Sequence, residues 1–225
     1  MIDRALRICA LTLSALVVAA SQAQQTDPDW LIVPGERVGF VTAETTDASL
    51  KALFGASNVE SVDVYLGEGF TSPGTAVYPS DTTRRIEVVW SDETRTVPKE
   101  VRLTGDSSVW RTAEGISLGS TLREIERLNG YPFRLVGFAF DYGGTIVDCG
   151  RGRLVALGCS VADERGASKG RLMVVRLNPG VDALGTSEYR QVLGEREFSS
   201  GHPAMQKLNP RVYQLIVFIA VGGGV

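Results

Sequence analysis

Residues 45–55 read TTDASLKALFG, and residues 120–130 read STLREIERLNG. At one constant offset, both stretches begin with a pair of hydroxyl residues, carry apolar residues in the middle and end in glycine. A hydroxyl residue that caps free amide groups, apolar residues at helical spacing and a final glycine are typical of a short helix. We therefore interpret the chain as two copies of one structural unit.

Predicted strands follow each helix in a similar order. Apolar and polar residues alternate along them, which is the pattern of a sheet with one covered face. In the first copy the strands are expected at 61–66, 75–78, 85–90 and 97–104; in the second they are expected at 133–141, 145–149, 153–161 and 171–177. The fold class is therefore α+β, with two tandem units that each combine a short helical segment with an antiparallel four-stranded sheet.

The unit boundaries follow from these elements. The first unit spans 31–111 and the second spans 112–221, with an insertion at 178–210 where the pattern weakens. The strongly apolar run at 212–220 is expected to add a closing strand to the second sheet. The buried helix faces are predicted to be formed by Leu50, Leu53 and Phe54 in the first unit and by Leu122, Ile125 and Leu128 in the second.

The N-terminal residues predict export. Residues 1–23 combine a short basic arm, an apolar run and small residues at the end, as in a cleaved signal peptide, and a polar leader follows at 24–30. The apolar run is too short for a stable membrane anchor, so no membrane span is expected after cleavage. We expect a periplasmic or secreted protein.

The charge of the mature chain argues against two classes of partner. Without the signal peptide the chain has 21 basic and 25 acidic residues, a formal charge of about −4 spread along the sequence. Nucleic acid and anionic membrane surfaces are poor partners for such a chain. His202 is the single histidine, and no zinc spacing, nucleophile elbow or phosphate loop is present. We therefore expect no metal, no cofactor and no catalytic residue.

Two cysteines, Cys149 and Cys159, are left after signal cleavage. In an oxidising compartment they are a candidate disulfide. A hairpin turn at 150–152 followed by a strand would, however, separate them by more than a disulfide allows. Two separate buried thiols are the alternative.

The most distinctive short string outside the repeat is Asp141-Tyr142-Gly143-Gly144. Paired glycines suit a hairpin connection, in which they permit positive backbone angles. Alternatively, they bring the backbone close to a partner while the carboxylate and the aromatic ring contact it. Trp90 and Trp110 complete the candidate binding surface, although core packing explains tryptophans near strand ends equally well.

The repeat resembles the tandem fold of the beta-lactamase inhibitor protein and the single-copy SmpA/OmlA-like outer-membrane assembly lipoproteins. The likeness lies in 115–121 and 128–130, with a weaker copy at 45–55. The strings at 34–39 and 138–145 are similar to those of an uncharacterised exported bacterial family. The chain lacks the lipoprotein cysteine of the assembly factors, which argues against an anchored role.

Three functions are compatible with these features. By analogy with the inhibitor-like fold, the first is a periplasmic module that holds a protein partner on a sheet face or on the loops between the sheets. The second is a cell-envelope hydrolase that uses two carboxylates, for example Asp141 with Asp148 or Glu87. The third is a purely structural envelope protein. The sequence does not fix the oligomeric state.

Overall fold

A computed structural model describes residues 29–158 and 172–219 of the chain. The predicted signal peptide at 1–23 and nearly all of the leader at 24–30 lie outside the described residues. Within them the protein has the predicted mixture of helices and mainly antiparallel sheets. None of the helices seen there is long and apolar enough to cross a bilayer.

The elements occur in the following order along the chain. The strands are β1 Leu31–Val33, β2 Arg37–Val38, β3 Val59–Gly67, β4 Phe70–Val77, β5 Ile86–Trp90, β6 Pro98–Thr104, β7 Arg111–Thr112, β8 Arg134–Val136, β9 Ile146–Asp148, β10 Met173–Asn178, β11 Glu197–Ser199 and β12 Arg211–Phe218. The α-helices are α1 Asp47–Phe54, α2 Leu122–Asn129, α3 Ser187–Gln191 and α4 Pro203–Leu208. Short 3₁₀ helices lie at Ala56–Asn58, Arg153–Leu157 and Val181–Ala183.

The helices α1 and α2 form where the repeat predicts them, and they begin with the same device. Thr46 accepts a hydrogen bond from the backbone of Ser49, whose side chain accepts from the Thr46 amide. Thr121 and Glu124 exchange the equivalent bonds at the start of α2. Each pair satisfies two amide groups that a helix start leaves free. One detail of the predicted faces is wrong, because Leu53 is exposed.

The predicted strands of the first unit are confirmed as a meander. Strands β3, β4, β5 and β6 pair antiparallel in chain order. Their inward residues pack against α1 through Leu50. The first unit thus contributes one helix and four adjacent strands.

The prediction of two separate four-stranded sheets is wrong. The main sheet has six strands in the order β10-β12-β6-β5-β4-β3, so that both units contribute to it. The predicted closing strand, β12, lies between β10 and β6, with Leu103 opposite Leu215 and Val101 opposite Val217. Leu215, Ile216 and Val217 are consecutive and all buried, which indicates a strand covered on both faces. Such a strand belongs in the middle of a sheet.

The other strands of the second unit are shorter than predicted. Strands β8 and β9 form a small sheet with β11, in the order β11-β8-β9, and Thr145, just before β9, forms an isolated bridge to Arg176 of β10. A third small sheet, β2-β1-β7, ties the start of the described chain to the connection between the units.

The strand predicted at 153–161 is a 3₁₀ helix in its described part, Arg153–Leu157. The buried Asn129 at the end of α2 donates to the Cys149 carbonyl and accepts from the Leu154 amide, at 3.0 and 3.1 Å. These two bonds satisfy a backbone carbonyl and a backbone amide that, in a strand, would need hydrogen bonds from a neighbouring strand. Leu154 and Leu157, three residues apart, are the buried positions, as suits three residues per turn.

We expect the capping pair of α2 to contribute measurably to stability. Thr121→Ala removes the acceptor for the Glu124 amide and should lower the free energy of unfolding by about 1 kcal/mol. Urea denaturation of the mature protein measures this. Thr121→Ser keeps the hydroxyl and is the matched control. Equal losses in both variants would show that packing, not capping, is important at this position.

Candidate functional site

The turn between β3 and β4 bends across the main sheet. A register shift between Tyr65 and Gly67 marks a bulge, and Glu68 at the turn has a φ of 52°. Bulges bend the strand that carries them. As a result, the Tyr65 carbonyl accepts a 2.7 Å hydrogen bond from the Arg102 guanidinium. Because β6 is the third strand beyond β3, about 14 Å away in a flat sheet, this bond places the hairpin tip over the sheet.

A buried ion pair lies beneath the tip. Arg102 and Glu100 alternate with the core residues of β6 and point to the opposite face, where their side chains are only 8% and 7% exposed. Their nitrogen and oxygen are 2.6 Å apart. Buried charges need partners for all of their polar atoms. The Tyr65 carbonyl supplies one such partner.

Asp141, from the second unit, holds the tip in place. Its carboxylate accepts from the Glu68 amide at 2.6 Å and from the Tyr65 hydroxyl at 3.3 Å. The Tyr65 hydroxyl in turn accepts from the Gly69 amide at 3.3 Å. Hydrogen bonds to an ionised carboxylate are stronger than neutral ones. Asp141 therefore fastens the hairpin of the first unit to the loop of the second.

Tyr142 packs beside this contact. A Cβ atom on Gly67 would lie 3.2 Å from the Tyr142 ring, so the ring rests closely on the hairpin backbone. The guanidinium of Arg176 lies 5.0 Å from the centre of the same ring, within the range of a cation–π contact. Arg176 also donates to Thr145 and Gln214. The ring is thus held from both units.

The glycines of the string serve the fold. Gly143 and Gly144 are both buried, and a Cβ atom on Gly144 would lie 1.9 Å from the carbonyl oxygen of Leu177. The Leu177 amide donates to the Gly144 carbonyl at 3.0 Å. The glycines therefore let the loop approach β10 closely, and this neighbour belongs to the chain itself.

Trp90 and Trp110 lie in the core. The indole of Trp90 donates to the Thr75 hydroxyl at 3.0 Å, and that of Trp110 donates to the Arg84 carbonyl at 2.8 Å. Both rings are almost fully buried. They do not join Tyr142 on a common surface.

Three aromatic rings are exposed where the two units meet. Phe70 is 67% exposed, Tyr65 54% and Tyr142 37%. We name this region, formed by Tyr65, Glu68, Phe70, Asp141 and Tyr142, the junction surface. Two of its five members, Asp141 and Tyr142, are among the site residues predicted from the sequence. The strong turn signal of Gly67-Glu68-Gly69, with aromatic residues on either side, was the available sign of the other three.

A cavity of about 400 Å³ opens on the junction surface. Its lining combines carboxylates and aromatic rings, from Glu68, Phe140, Asp141, Tyr142 and Glu195. A second cavity of about 240 Å³ lies on the other side of Phe140 and is lined in part by Tyr213. Burial raises the pKa of the Tyr213 hydroxyl, and the charge of Asp141 adds to this effect while Arg176 opposes it.

The three carboxylates proposed as hydrolytic pairs are held by different partners. Asp141 binds the hairpin tip, Glu87 accepts from Arg85 at 2.6 Å, and Asp148 accepts from the Gly150 amide at 2.8 Å. In the described residues, no group of three or more histidine, cysteine or carboxylate side chains is arranged to hold a metal ion.

Cys149 and His202 both serve the fold. Cys149 is buried and disulfide-bonded. Because Cys159 lies outside the described residues, its pairing with Cys149 stays a prediction. His202 begins α4, where its ring nitrogen accepts from the Ala204 amide at 3.2 Å.

The close approach at Gly144 yields a sharp test of the loop. Gly144→Ala should lower the free energy of unfolding by about 3 kcal/mol or more, because the methyl group collides with Leu177 and the backbone φ is 72°. The control is Gly194→Ala, with a similar φ of 88° and open space around it, which should cost about 1 kcal/mol. Thermal or urea unfolding measures both. Equal losses would rule out the collision as the cause.

Removing the carboxylate of Asp141 should release the hairpin tip. In Asp141→Ala we expect the Glu68 amide to exchange with solvent about tenfold faster, since a hydrogen bond to a charged group contributes about 1.5 kcal/mol. Hydrogen exchange followed by NMR measures this. Asp63→Ala is the control: Asp63 lies on the same hairpin, and its carboxylate accepts no hydrogen bond from the described residues. Unchanged exchange at Glu68 in Asp141→Ala would contradict the docking.

Comparison of the chain with protein-family models, with curated proteins and with solved structures gave no match in any of the three. The resemblance to the beta-lactamase inhibitor protein and to the SmpA/OmlA-like lipoproteins therefore rests on the quoted residues and stays a prediction. What the junction surface can bind follows from its own chemistry.

Proposed function

We propose that the protein is an exported periplasmic binding module that holds a protein partner at the junction surface. The observation that carries the proposal is that three exposed aromatic residues, Tyr65, Phe70 and Tyr142, lie in the two segments that meet there. Phe70 pairs with Gly67, on which the Tyr142 ring packs. Aromatic residues with an apolar body and a polar tip are enriched at protein interfaces. Scattered exposed rings need no explanation, whereas a cluster of them does.

The charges beside the rings indicate the chemistry of the partner. Glu68, Asp141 and Glu195 line the cavity of about 400 Å³, and none of the described residues that line it is a lysine or arginine. A basic side chain entering this cavity would meet carboxylates and the rings of Phe140 and Tyr142, which favour a cation. We therefore expect the partner to present lysine or arginine next to apolar side chains.

The docked hairpin tip supports binding by keeping the surface in one arrangement. The Glu68 amide, the Tyr65 hydroxyl and the Tyr65 carbonyl are all hydrogen-bonded to other parts of the chain. A surface that is ordered before the partner arrives loses less conformational entropy on binding. Because the Asp141 carboxylate is engaged in positioning the tip, a binding role is favoured over hydrolysis.

Photo-crosslinking from single positions tests the proposal. A photoreactive phenylalanine analogue at Phe70, in the mature protein in its own periplasm, should give a discrete adduct with one partner. The same analogue at Tyr131 is the matched control, since Tyr131 is a 59% exposed ring outside the junction surface. The adduct should disappear when Glu68 and Glu195 are replaced by lysine.

Two results would contradict the proposal. The first is the same set of adducts from positions 70 and 131, which would indicate random collision. The second is the absence of any adduct from positions 65, 70 and 142 while the protein remains folded, and this outcome would favour a purely structural envelope protein.

A further inference from the structure

Strand β3 is an open edge of the main sheet. It is nine residues long, Val59–Gly67, and it pairs only with β4. Its outer side meets the preceding 3₁₀ helix only at the first residue, where the Val59 amide donates to the Ala56 carbonyl; among the described residues no backbone bond to another element is seen beyond that point. An open strand edge is a template for a further strand.

The direction of its backbone groups follows from two contacts. The Tyr78 amide donates to the Asn58 carbonyl, so residue 58 and every second residue after it bond to β4. Pro73, which has no amide hydrogen, lies opposite Asp63, as expected where the pair is not hydrogen-bonded. Ser61 and Asp63 therefore direct both their amide and carbonyl groups to the open side, whereas the Val59 amide is already bonded to the Ala56 carbonyl.

The edge carries negative charge. The hairpin stretch 59–70 contains Glu60, Asp63 and Glu68 and no lysine or arginine. Next to these carboxylates, Arg95 donates to the Ser61 hydroxyl at 2.7 Å. Charges on an edge strand repel strands of the same charge and admit those of opposite charge.

We propose that the β3 edge binds an extended segment of a partner protein, which adds a seventh strand and carries two basic residues three positions apart, one for each face of the sheet. This inference rests on the proposed protein-binding function and names a second contact, separate from the junction surface. Main-chain hydrogen bonds to Ser61 and Asp63 give the affinity, while the carboxylates of Glu60 on one face and Asp63 on the other select for lysine or arginine. A second copy of β3 is disfavoured because it brings the same carboxylates together.

Peptide display provides the probe. Random peptides of about 10 residues, enough to cover β3, are selected on the immobilised mature protein. We expect the bound peptides to carry two lysine or arginine residues three positions apart, among β-branched or aromatic residues. In an added strand, every second peptide amide points to β3 and the others point away from it. Methylation of the nitrogens that point to β3 should therefore abolish binding, whereas methylation of the others should leave binding intact.

One pair of variants isolates the backbone contact. Asp63→Pro removes the outward amide hydrogen and the carboxylate, whereas Asp63→Ala removes the carboxylate alone. The position tolerates proline because its amide does not bond to β4. We expect Asp63→Pro to weaken peptide binding at least about tenfold more than Asp63→Ala, the loss expected for a missing interfacial hydrogen bond. If Asp63→Pro does not fold, the methylated peptides on the unmodified protein decide the question.

Three outcomes would overturn the inference. They are equal peptide affinity of Asp63→Pro and Asp63→Ala, insensitivity of the selected peptides to backbone methylation, and a dimer of the mature protein that Asp63→Pro converts to monomer. The last result would show that a second copy occupies the edge. If the crosslinked adduct from position 70 persists in any of these cases, the proposed binding function stands although the edge does not bind a strand. Failure of the inference and failure of the proposed function are therefore distinguishable.

Discussion

The pairing of β6 with β12 is the constraint on which the rest of the molecule depends. These strands are more than a hundred residues apart in sequence, yet they bring Val101 and Leu103 against Val217 and Leu215 in one buried layer. Because the two strands come from different units, their pairing makes one sheet and one core from the two parts of the chain. Each part alone would expose an apolar edge strand, which is a template for aggregation.

The same pairing buries two charged side chains on the opposite face of the sheet. Glu100 and Arg102 stand on β6 between β12 and β5, and their charges are buried there. A buried ion pair offsets its loss of hydration only when its remaining polar atoms are satisfied. The bent hairpin covers the pair and offers the Tyr65 carbonyl to Arg102. The position of the hairpin tip is therefore a consequence of the charges at the centre of the sheet.

The sequence predicts those parts of the fold that depend on neighbouring residues. The start of each helix is evident from Thr46 and Thr121, because capping involves residues three positions apart. The strands β3, β4, β5 and β6 are predicted correctly because each one pairs with the next along the chain. The prediction fails at the 3₁₀ helix, where Asn129 satisfies a backbone twenty and more residues away, and at β12, whose partner lies in the other unit. Periodicity contains no information about such distant partners.

In the candidate site, too, the features that depend on neighbouring residues are predicted and those that depend on distant residues are not. Asp141 and Tyr142 are conspicuous in the sequence because they precede paired glycines, but their contacts with Tyr65 and Glu68 cross 73 residues or more. Trp90 and Trp110 have the residue type of a binding surface and the location of a core. Residue type therefore suggests what a side chain can do, and only the pairing of distant strands determines whether it is accessible.

The difference between the two units explains why the exposed rings lie at their junction. The first unit has a long hairpin, with nine residues in β3 and eight in β4, whereas β8 and β9 of the second have three residues each. The long hairpin of the first unit carries Tyr65 and Phe70 in the part that bends over the sheet. The loop between the short strands β8 and β9 carries Asp141, which bonds to that bent tip. Two equal hairpins would leave no such meeting point, and the departure from symmetry is thus what forms the candidate binding surface.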